Sequence, residues 1–234
     1  MDGMSVIATE HNLELEDGRN FEEGQETASA IFEITLPKSS SGMVYFFVKR
    51  LFDIVASAIL IVLLCIPMAI IAIMVRLDSQ GPALFRQERL GKNGKPFTIL
   101  KFRSMDTNAE RNGPQWADKD DPRCTKLGKV LRKSRLDELP QLWNILKGEM
   151  SFVGPRPERA CFYDEFETYI HGFRNRLIVK PGLTGWAQVN GGYELKPEEK
   201  IILDMEYIQK RSLSLDMLCM LKTVHLIFTH EGAR

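Results

Sequence analysis

An uninterrupted apolar stretch at residues 54–75 constrains this sequence more than any other feature. Its 22 residues carry no charge and are nearly all Ile, Leu, Val, Ala or Met. As an α-helix it would be roughly 33 Å long, close to the thickness of the hydrocarbon core of a bilayer. Apolarity on every side and this length favour a membrane segment over the buried helix of a soluble domain.

The residues in and around this stretch leave its mode of insertion open. Pro67 lies near the middle, lacks a backbone N–H donor and predicts a break in the helix. Lys49 and Arg50 precede the stretch and Arg76 follows it, which fits a hairpin that returns to the cytoplasmic face. A tilted, kinked span has the same charge pattern. Asp53 at the entrance is costly unless paired, and Arg50 is its predicted partner.

The formal net charge of zero hides an asymmetry along the chain. Residues 1–42 contain nine acidic and two basic side chains, whereas residues 43–234 contain 22 acidic and 29 basic ones. A basic body suits phosphates or anionic lipid, and nucleic acid is not favoured because no recognition module is visible. Residues 1–42 show no clear period and no apolar core of a signal peptide, which predicts a mobile acidic tail.

The remaining periodicity predicts an α+β fold that is mostly helical. A small β region is expected at residues 84–103, where β-formers follow a turn. Amphipathic helices are expected to lie partly at the membrane surface. Their predicted ranges are 127–133, 137–146, 162–176, 197–211 and 215–229. The domain hypothesis is a tail (1–42), a membrane hairpin (43–76) and a cytoplasmic catalytic domain (77–234). The four cysteines lie far apart and are interpreted as reduced.

Asp137 is the first candidate for chemistry. Arg132, Lys133 and Arg135 lie within five residues of it, and Pro140 is tolerated in a first helical turn. As an N-cap beside these cations, Asp137 is expected to have a lowered pKa and to stay ionised. An ionised carboxylate beside a bound phosphate can attack phosphorus or hold Mg²⁺. A charged helix start without catalytic function fits the same pattern.

The segment Gly154-Pro155-Arg156-Pro157 is the second candidate. Its two prolines stiffen the backbone around Arg156, which suits bidentate phosphate recognition, although a structural turn is equally compatible. Lys101 and Arg103 share one face of a predicted strand end and would either join an anion pocket or be solvated. The histidines lack zinc-ligand spacing, and Walker or Rossmann glycine motifs are absent from the sequence.

A series of longer motifs resembles a known family over about residues 45–234. The motifs are Lys49-Arg50-Leu51-Phe52-Asp53, the apolar segment with its proline, Phe85-Arg86-Gln87-Glu88-Arg89-Leu90-Gly91, Lys101-Phe102-Arg103-Ser104-Met105, Leu136-Asp137-Glu138-Leu139-Pro140-Gln141, Lys147-Gly148-Glu149-Met150-Ser151-Phe152-Val153-Gly154-Pro155-Arg156-Pro157 and Pro181-Gly182-Leu183-Thr184-Gly185-Trp186-Ala187-Gln188-Val189-Asn190-Gly191. In this order they resemble the bacterial sugar transferases, which are monotopic polyprenyl-phosphate phosphoglycosyltransferases.

The resemblance implies a reaction and roles for site residues. Sugar-1-phosphate would pass from a UDP-sugar to undecaprenyl phosphate with release of UMP, as the first membrane step of polysaccharide synthesis. Asp137 would be the nucleophile that forms a covalent phosphosugar ester. Glu138 would be the second carboxylate, which helps to hold Mg²⁺ or handles protons. The basic residues that match family positions near the phosphates are Lys101, Arg103, Arg132 and Arg156.

The resemblance also implies a re-entrant hairpin in the bacterial inner membrane, with the catalytic domain facing the cytoplasm. Some relatives carry serine before the central proline, where this sequence has Ile66, so the bend would be stabilised differently here. The identity of the sugar and the formation of a homo-oligomer are left open. The alternative hypothesis is a catalytically silent membrane-bound adaptor, against which the intact Asp137, Glu138 and Arg156 argue.

Overall fold

The computed structural model describes residues 32–35, 41–111, 113, 115, 121–191 and 195–229. The described helices are α1 (Met43–Asp78), α2 (Lys126–Lys133), α3 (Leu142–Lys147), α4 (Ala160–Glu167), α5 (Trp186–Val189), α6 (Pro197–Lys210) and α7 (Leu213–Thr229). Three 3₁₀ helices cover Lys92–Gly94, Leu136–Gln141 and Phe173–Ile178. The strands are β1 (Phe32–Glu33), β2 (Leu84–Leu90), β3 (Pro96–Phe102), β4 (Ser151–Val153), β5 (Ile170–His171) and β6 (Gly182–Thr184).

Each described sheet has two strands. Strands β2 and β3 form an antiparallel hairpin, whereas β1 pairs with β5 and β4 pairs with β6 in parallel. The predicted fold, mostly helical with a small β region, is confirmed for the described residues. The hairpin lies where the sequence predicted a β region. Alternate side chains of β3 are buried, and Phe97 and Ile99 pack in an apolar cluster.

Helix α1 runs for 36 residues and includes Pro67. This differs from the sequence prediction of two helices separated by a break. The helix is held on both sides of the proline, since Leu60 and Leu64 pack against one core cluster and Met68 and Ile71 against another. The loss of one backbone hydrogen bond at proline can be tolerated where neighbouring contacts fix the helix.

The opposite face of α1 is apolar and exposed. Val62, Leu63 and Ile66 are each more than two-thirds accessible. The most apolar window has a mean hydropathy of 3.2 and is 11% buried, and α1 is the one described helix that is long and apolar enough to cross a membrane. These criteria of length and composition agree with a membrane-associated helix and leave its path through the lipid to be tested.

The polar residues at the start of α1 bind the rest of the chain. Arg50 donates to two carbonyl oxygens near the C-terminal end of α3, at 2.8 Å each. Asp53 accepts hydrogen bonds from Ser151 Oγ at 3.1 Å and from the Phe152 backbone N–H at 3.0 Å. The predicted Arg50–Asp53 ion pair is therefore wrong, because each side chain satisfies a backbone or side-chain group that is distant in sequence.

A second buried network joins α1 to α6 and α7. Lys49 Nζ lies 2.7 Å from Asp216 Oδ2, which also accepts a hydrogen bond from the Tyr45 hydroxyl at 3.0 Å. The Tyr207 hydroxyl donates to the other oxygen of Asp216 at 2.7 Å. One aspartate of α7 thus binds three side chains from two other helices.

The predicted acidic tail lies mainly outside the described residues. Its residues 32–35 are described, and they differ from the prediction of a mobile segment because Phe32–Glu33 pairs with β5. The side chain of Ile34 packs against the core cluster that contains Phe166 and Phe173. A segment without helical or strand periodicity can still add to an existing sheet edge, because the edge supplies its backbone partners.

Candidate active site

A cavity of about 1210 Å³ lies between the β2–β3 hairpin, the 3₁₀ helix Leu136–Gln141 and the loop that contains Arg156. Among the described residues, twelve basic and five acidic side chains line it. Such an excess of positive charge attracts anionic ligands. All six residues singled out from the sequence line this one cavity: Lys101, Arg103, Arg132, Asp137, Glu138 and Arg156.

Glu138 is a buried carboxylate held by two cations. Its Oε1 accepts hydrogen bonds from Lys101 Nζ at 3.0 Å and from Arg156 Nη2 at 2.5 Å. Burial by itself would favour the neutral acid, but the charges of Arg156 and Lys101 and their hydrogen bonds hold the pKa of Glu138 well below its usual range. A carboxylate that stays ionised in this way is a poor proton acceptor, and it fixes both cations in the cavity wall.

Asp137 is as buried as Glu138 but has a different environment. Burial raises its pKa to about 6; the charge of Lys101 opposes this rise and that of Glu138 adds to it. The lowered pKa predicted from the sequence is wrong, because desolvation outweighs the neighbouring cations. In the described part of the chain, no group donates a hydrogen bond to the Asp137 carboxylate. With a pKa of about 6, the carboxyl group is ionised in most molecules at neutral pH.

The local backbone explains why both acids face the cavity. Arg135 precedes the 3₁₀ helix in the left-handed conformation, with φ of 56°, which is uncommon for a residue with a side chain. Asp137 lies in the first turn of this helix, so the predicted N-cap position is wrong by two residues. Pro140 fits the short helix, where the i to i−4 hydrogen bond that proline breaks is not required.

Asn144 joins β3 to α3 and was missed by the sequence analysis. Its Oδ1 accepts from the Leu100 N–H at 3.1 Å, and its Nδ2 donates to the Thr98 carbonyl and to Glu149 Oε2, both at 2.7 Å. This buried amide fixes the strand from which Lys101 reaches Glu138. The detectable signal was a polar residue among the apolar positions of a predicted helix.

A close backbone crossing places the Arg156 loop. A Cβ at Gly154 would lie 2.4 Å from the Lys180 carbonyl oxygen, and one at Gly182 would lie 2.1 Å from the Gly154 nitrogen. Only glycine permits this approach of two chain segments. The Gly182 N–H donates to the Pro155 carbonyl at 2.9 Å, which fixes the residue before Arg156.

A buried ion pair supports Arg156 from behind. Arg176 Nη2 lies 2.6 Å from Asp204 Oδ2 and donates to the Arg156 carbonyl oxygen at 3.1 Å. Both residues of the pair are almost inaccessible, and burial raises the pKa of Asp204 to about 6 against the opposing charge of Arg176. The sequence analysis missed this pair, since its members are distant in sequence and belong to no recognisable motif.

Two of the predicted phosphate-binding residues have other partners. Arg103 donates to carbonyl oxygens at the C-terminal end of α1: Val75 at 3.1 Å, Ser79 at 2.7 Å and Gln80 at 2.6 Å. Its guanidinium therefore caps a helix, and the phosphate contact of Arg103 stays a prediction. Arg132 donates from Nη1 to Cys124 Sγ at 3.4 Å, and its charge acts on Asp137.

Asp137 and Glu138 supply the type of oxygen ligand that Mg²⁺ binds. Within the described ranges, no group of three or more His, Cys, Asp or Glu side chains is placed to hold a metal ion. Mg²⁺ is commonly held by one or two carboxylates, with water and substrate phosphate oxygens completing the coordination. The Asp137 carboxylate, which has no described hydrogen-bond donor, and the adjacent Glu138 fit this pattern.

Comparisons with known proteins identify the family. Residues 44–230 match the family model described as bacterial sugar transferase. The chain is 47% identical over 194 residues to the UDP-N-acetylgalactosamine-undecaprenyl-phosphate N-acetylgalactosaminephosphotransferase of Aeromonas hydrophila, covering 82% of this chain and 46% of that protein. It is 40% identical over 190 residues to the UDP-glucose:undecaprenyl-phosphate glucose-1-phosphate transferase of Escherichia coli K12, covering 79% of this chain and 41% of that protein.

A further relative is similar in length. It is an uncharacterized sugar transferase of Bacillus subtilis, 42% identical over 187 residues, which cover 79% of this chain and 89% of that protein. The chain spans less than half the length of the Aeromonas and Escherichia relatives. The family model covers most of the sequence and includes every residue of the cavity described above. This chain belongs to the bacterial sugar transferase family.

Proposed function

We propose that this protein transfers a sugar-1-phosphate from a UDP-sugar to undecaprenyl phosphate and releases UMP. The observation that carries the proposal is a buried Asp137 carboxylate, free of described hydrogen-bond donors, beside the Glu138–Lys101–Arg156 cluster in a basic cavity. The names of the Aeromonas and Escherichia relatives support the donor and acceptor classes. A reactive carboxylate in an anion-binding cavity favours catalysis over a silent adaptor.

In the first step, an oxygen of Asp137 attacks the phosphorus that carries the sugar. The bond from this phosphorus to the bridging oxygen of the diphosphate breaks, and UMP leaves with the electron pair. The sugar phosphate is then esterified to Asp137 as an acyl phosphate. Lys101, Arg156 and Arg132 surround the acid with positive charge and stabilise the negative charge that develops on the phosphoryl oxygens.

In the second step, the phosphate of undecaprenyl phosphate attacks the same phosphorus. The bond to Asp137 breaks, the carboxylate is regenerated, and the lipid-linked diphosphate sugar forms. Because donor and acceptor react in turn with one residue, a single cavity serves both phosphates. Glu138 keeps its two cations in place throughout and does not need to exchange a proton.

Asp137 and Glu138 are the residues that would hold Mg²⁺ in this cavity. When bound, the ion would supply Lewis-acid neutralisation of phosphate charge. Both carboxylates line the same basic cavity in which a substrate phosphate would bind.

The proposed location is the cytoplasmic face of the inner membrane, with α1 as a re-entrant segment. The exposed apolar face of α1 supports insertion into lipid, and the polar contacts of Lys49, Arg50 and Asp53 support an entrance at the membrane surface. The acceptor phosphate lies at the same surface, so the acceptor and the catalytic residue are already at a similar height above the membrane.

The covalent step can be tested with donor alone. The full chain is incubated with each of several UDP-sugars without lipid, and the peptide containing Asp137 is examined by mass spectrometry. We expect an added sugar phosphate with about one UMP released per chain, and its discharge by undecaprenyl phosphate. Asp137→Asn is expected to abolish both, whereas Asp106→Asn, at the cavity wall, is the matched control. Turnover by a wild-type chain that never carries an adduct would contradict the mechanism.

A further inference from the structure

The edge of β5 receives an extended segment from the start of the described chain. Phe32 pairs with Ile170 and Glu33 with His171 in parallel register. The backbone N–H of Ile34 then donates to the His171 carbonyl oxygen at 2.8 Å. The segment and β5 together form a two-stranded parallel ladder, which uses the same backbone pairing as peptide recognition by strand addition.

Side chains complete the receiving surface. Asn175 Nδ2 donates to the Ile34 carbonyl oxygen at 2.8 Å, so the segment is held through both backbone groups of one residue. The Ile34 side chain packs against the core cluster that contains Phe166 and Phe173. Gly172 has φ of +91°, and a Cβ there would lie 2.3 Å from the Ile34 carbonyl oxygen. The absence of a side chain at Gly172 leaves the space that the segment fills.

The receiving surface has its own support. The Glu167 carboxylate accepts the backbone N–H groups of Gly172 at 2.7 Å and Arg174 at 2.9 Å. The N–H of Asn175 donates to the Gly172 carbonyl at 3.0 Å. These bonds hold the turn that follows β5 and do not involve the arriving segment. A turn that is fixed in this way reduces the entropy cost of binding an extended peptide.

We propose that the edge formed by β5, Gly172 and Asn175 is a peptide-docking site whose occupant is residues 32–35 of the same chain. One short helix connects the docked segment to the active site. Asn175, which holds Ile34, is followed in the 3₁₀ helix Phe173–Ile178 by Arg176, which supports Arg156. Docking therefore stabilises the part of the cavity wall that carries Arg176. The inference does not depend on the reaction proposed above.

Peptide binding measures the site directly. A fluorescent peptide of residues 29–38 is titrated into the full chain and into a chain lacking residues 1–35, both in detergent. We expect saturable binding to the shortened chain and binding weaker by roughly tenfold or more to the full chain, where the tethered segment competes at high effective concentration. Asn175→Ala is expected to weaken binding to the shortened chain, and Asn108→Ala is the matched control.

Hydrogen exchange tests the connection to the cavity wall. In the full chain with Ile34→Asp, residues 173–178 are expected to exchange faster than in the wild type, and added wild-type peptide is expected to restore slow exchange. A peptide carrying Ile34→Asp should neither bind nor restore slow exchange. Equal peptide binding to the full and shortened chains, or no saturable binding to a shortened chain that melts cooperatively, would overturn the proposal. A dimer that forms only when residues 32–35 are present would assign the occupant to a second copy instead.

Discussion

At the residue scale, the adjacent acids Asp137 and Glu138 have opposite pKa shifts. Both are buried, yet Glu138 binds Lys101 and Arg156 directly, and Asp137 accepts no hydrogen bond from the described residues. The difference in partners separates their chemistry, since Glu138 is a fixed anion and Asp137 is the acid that we propose as the nucleophile. Neighbours in sequence thus take different roles because of contacts made with distant strands and loops.

The pH dependence of the first step should report Asp137. Because burial raises its pKa to about 6, protonation begins near neutrality and removes the nucleophile. We expect the UMP burst with donor alone to fall with a midpoint near pH 6 as the solution is acidified, measured by rapid quench. Asp204 has a similarly raised pKa, so Asp204→Asn is the control. If the fall of the UMP burst near pH 6 disappears in Asp204→Asn, the titration belongs to Asp204.

Lys101→Met should shift the acidic limb of the pH profile, which is the fall of the UMP burst on acidification. Lys101 exerts the largest charge effect that lowers the pKa of Asp137, so its loss should raise that pKa and shift the limb toward higher pH. Activity at neutral pH should also fall by roughly tenfold or more, because one stabilising cation is removed. Lys101→Arg keeps the charge and should retain the wild-type limb. An unchanged limb in Lys101→Met would show that Lys101 does not act on Asp137.

The sequence identified the residues of the site better than their electrostatics. Motif matches brought together residues that do line one cavity, because the motifs carry several specific positions each. The sign of the Asp137 pKa shift was missed, since burial depends on packing that local charge patterns do not reveal. Arg176 and Asp204 were missed because their pairing joins segments that no motif connects.

At the element scale, arginines from distant segments cap the ends of two helices. Arg103 binds the last carbonyl groups of α1, and Arg50 binds those of α3. The final carbonyl groups of a helix lack partners within it, so a buried end needs donors from elsewhere. The sequence predicted helical structure in α1 from an uninterrupted apolar stretch and in α3 from apolar periodicity. The capping residues are far away in the chain and could not be predicted from spacing.

Arg103→Met should therefore destabilise the fold. Loss of charged hydrogen bonds to three carbonyl groups is expected to cost about 3 kcal/mol and to lower the melting temperature by roughly 6 °C or more. Thermal unfolding in detergent measures this effect. Arg86→Met, at an exposed position of the same cavity wall, is the matched control. If Arg103→Met melted like this control but lost affinity for a UDP-sugar, Arg103 would bind phosphate as the sequence predicted.

At the scale of the whole molecule, one body binds both ends of α1. Asp216 of α7 holds Lys49 near the start of the helix, and Arg103 of the loop after β3 holds its end. A charged body could not make both contacts across the hydrocarbon of a bilayer without burying its own charges in lipid. This arrangement favours the proposed re-entrant path over a span, although the helix continues through Pro67.

Cysteine labelling should place both ends of α1 on one side. Gly42→Cys and Gln80→Cys are introduced separately into a chain whose four cysteines have been replaced, and intact cells are treated with a maleimide that does not cross membranes. We expect neither position to react until the inner membrane is permeabilised. A periplasmic protein with an exposed thiol is the positive control, and its labelling shows that the reagent has reached the inner membrane. Reaction at one of the two positions in intact cells would establish a span.

The network around Asp216 has a consequence for how the protein is made. Asp216, the acidic partner of Lys49, lies 167 residues later in the chain. At ordinary elongation rates this delay is about ten to thirty seconds. During that interval Lys49 lacks its acidic partner, and α1 lacks the helix that packs against its start. Within the described part of the chain, α1 therefore gains its buried ion pair only after α7 has been synthesised.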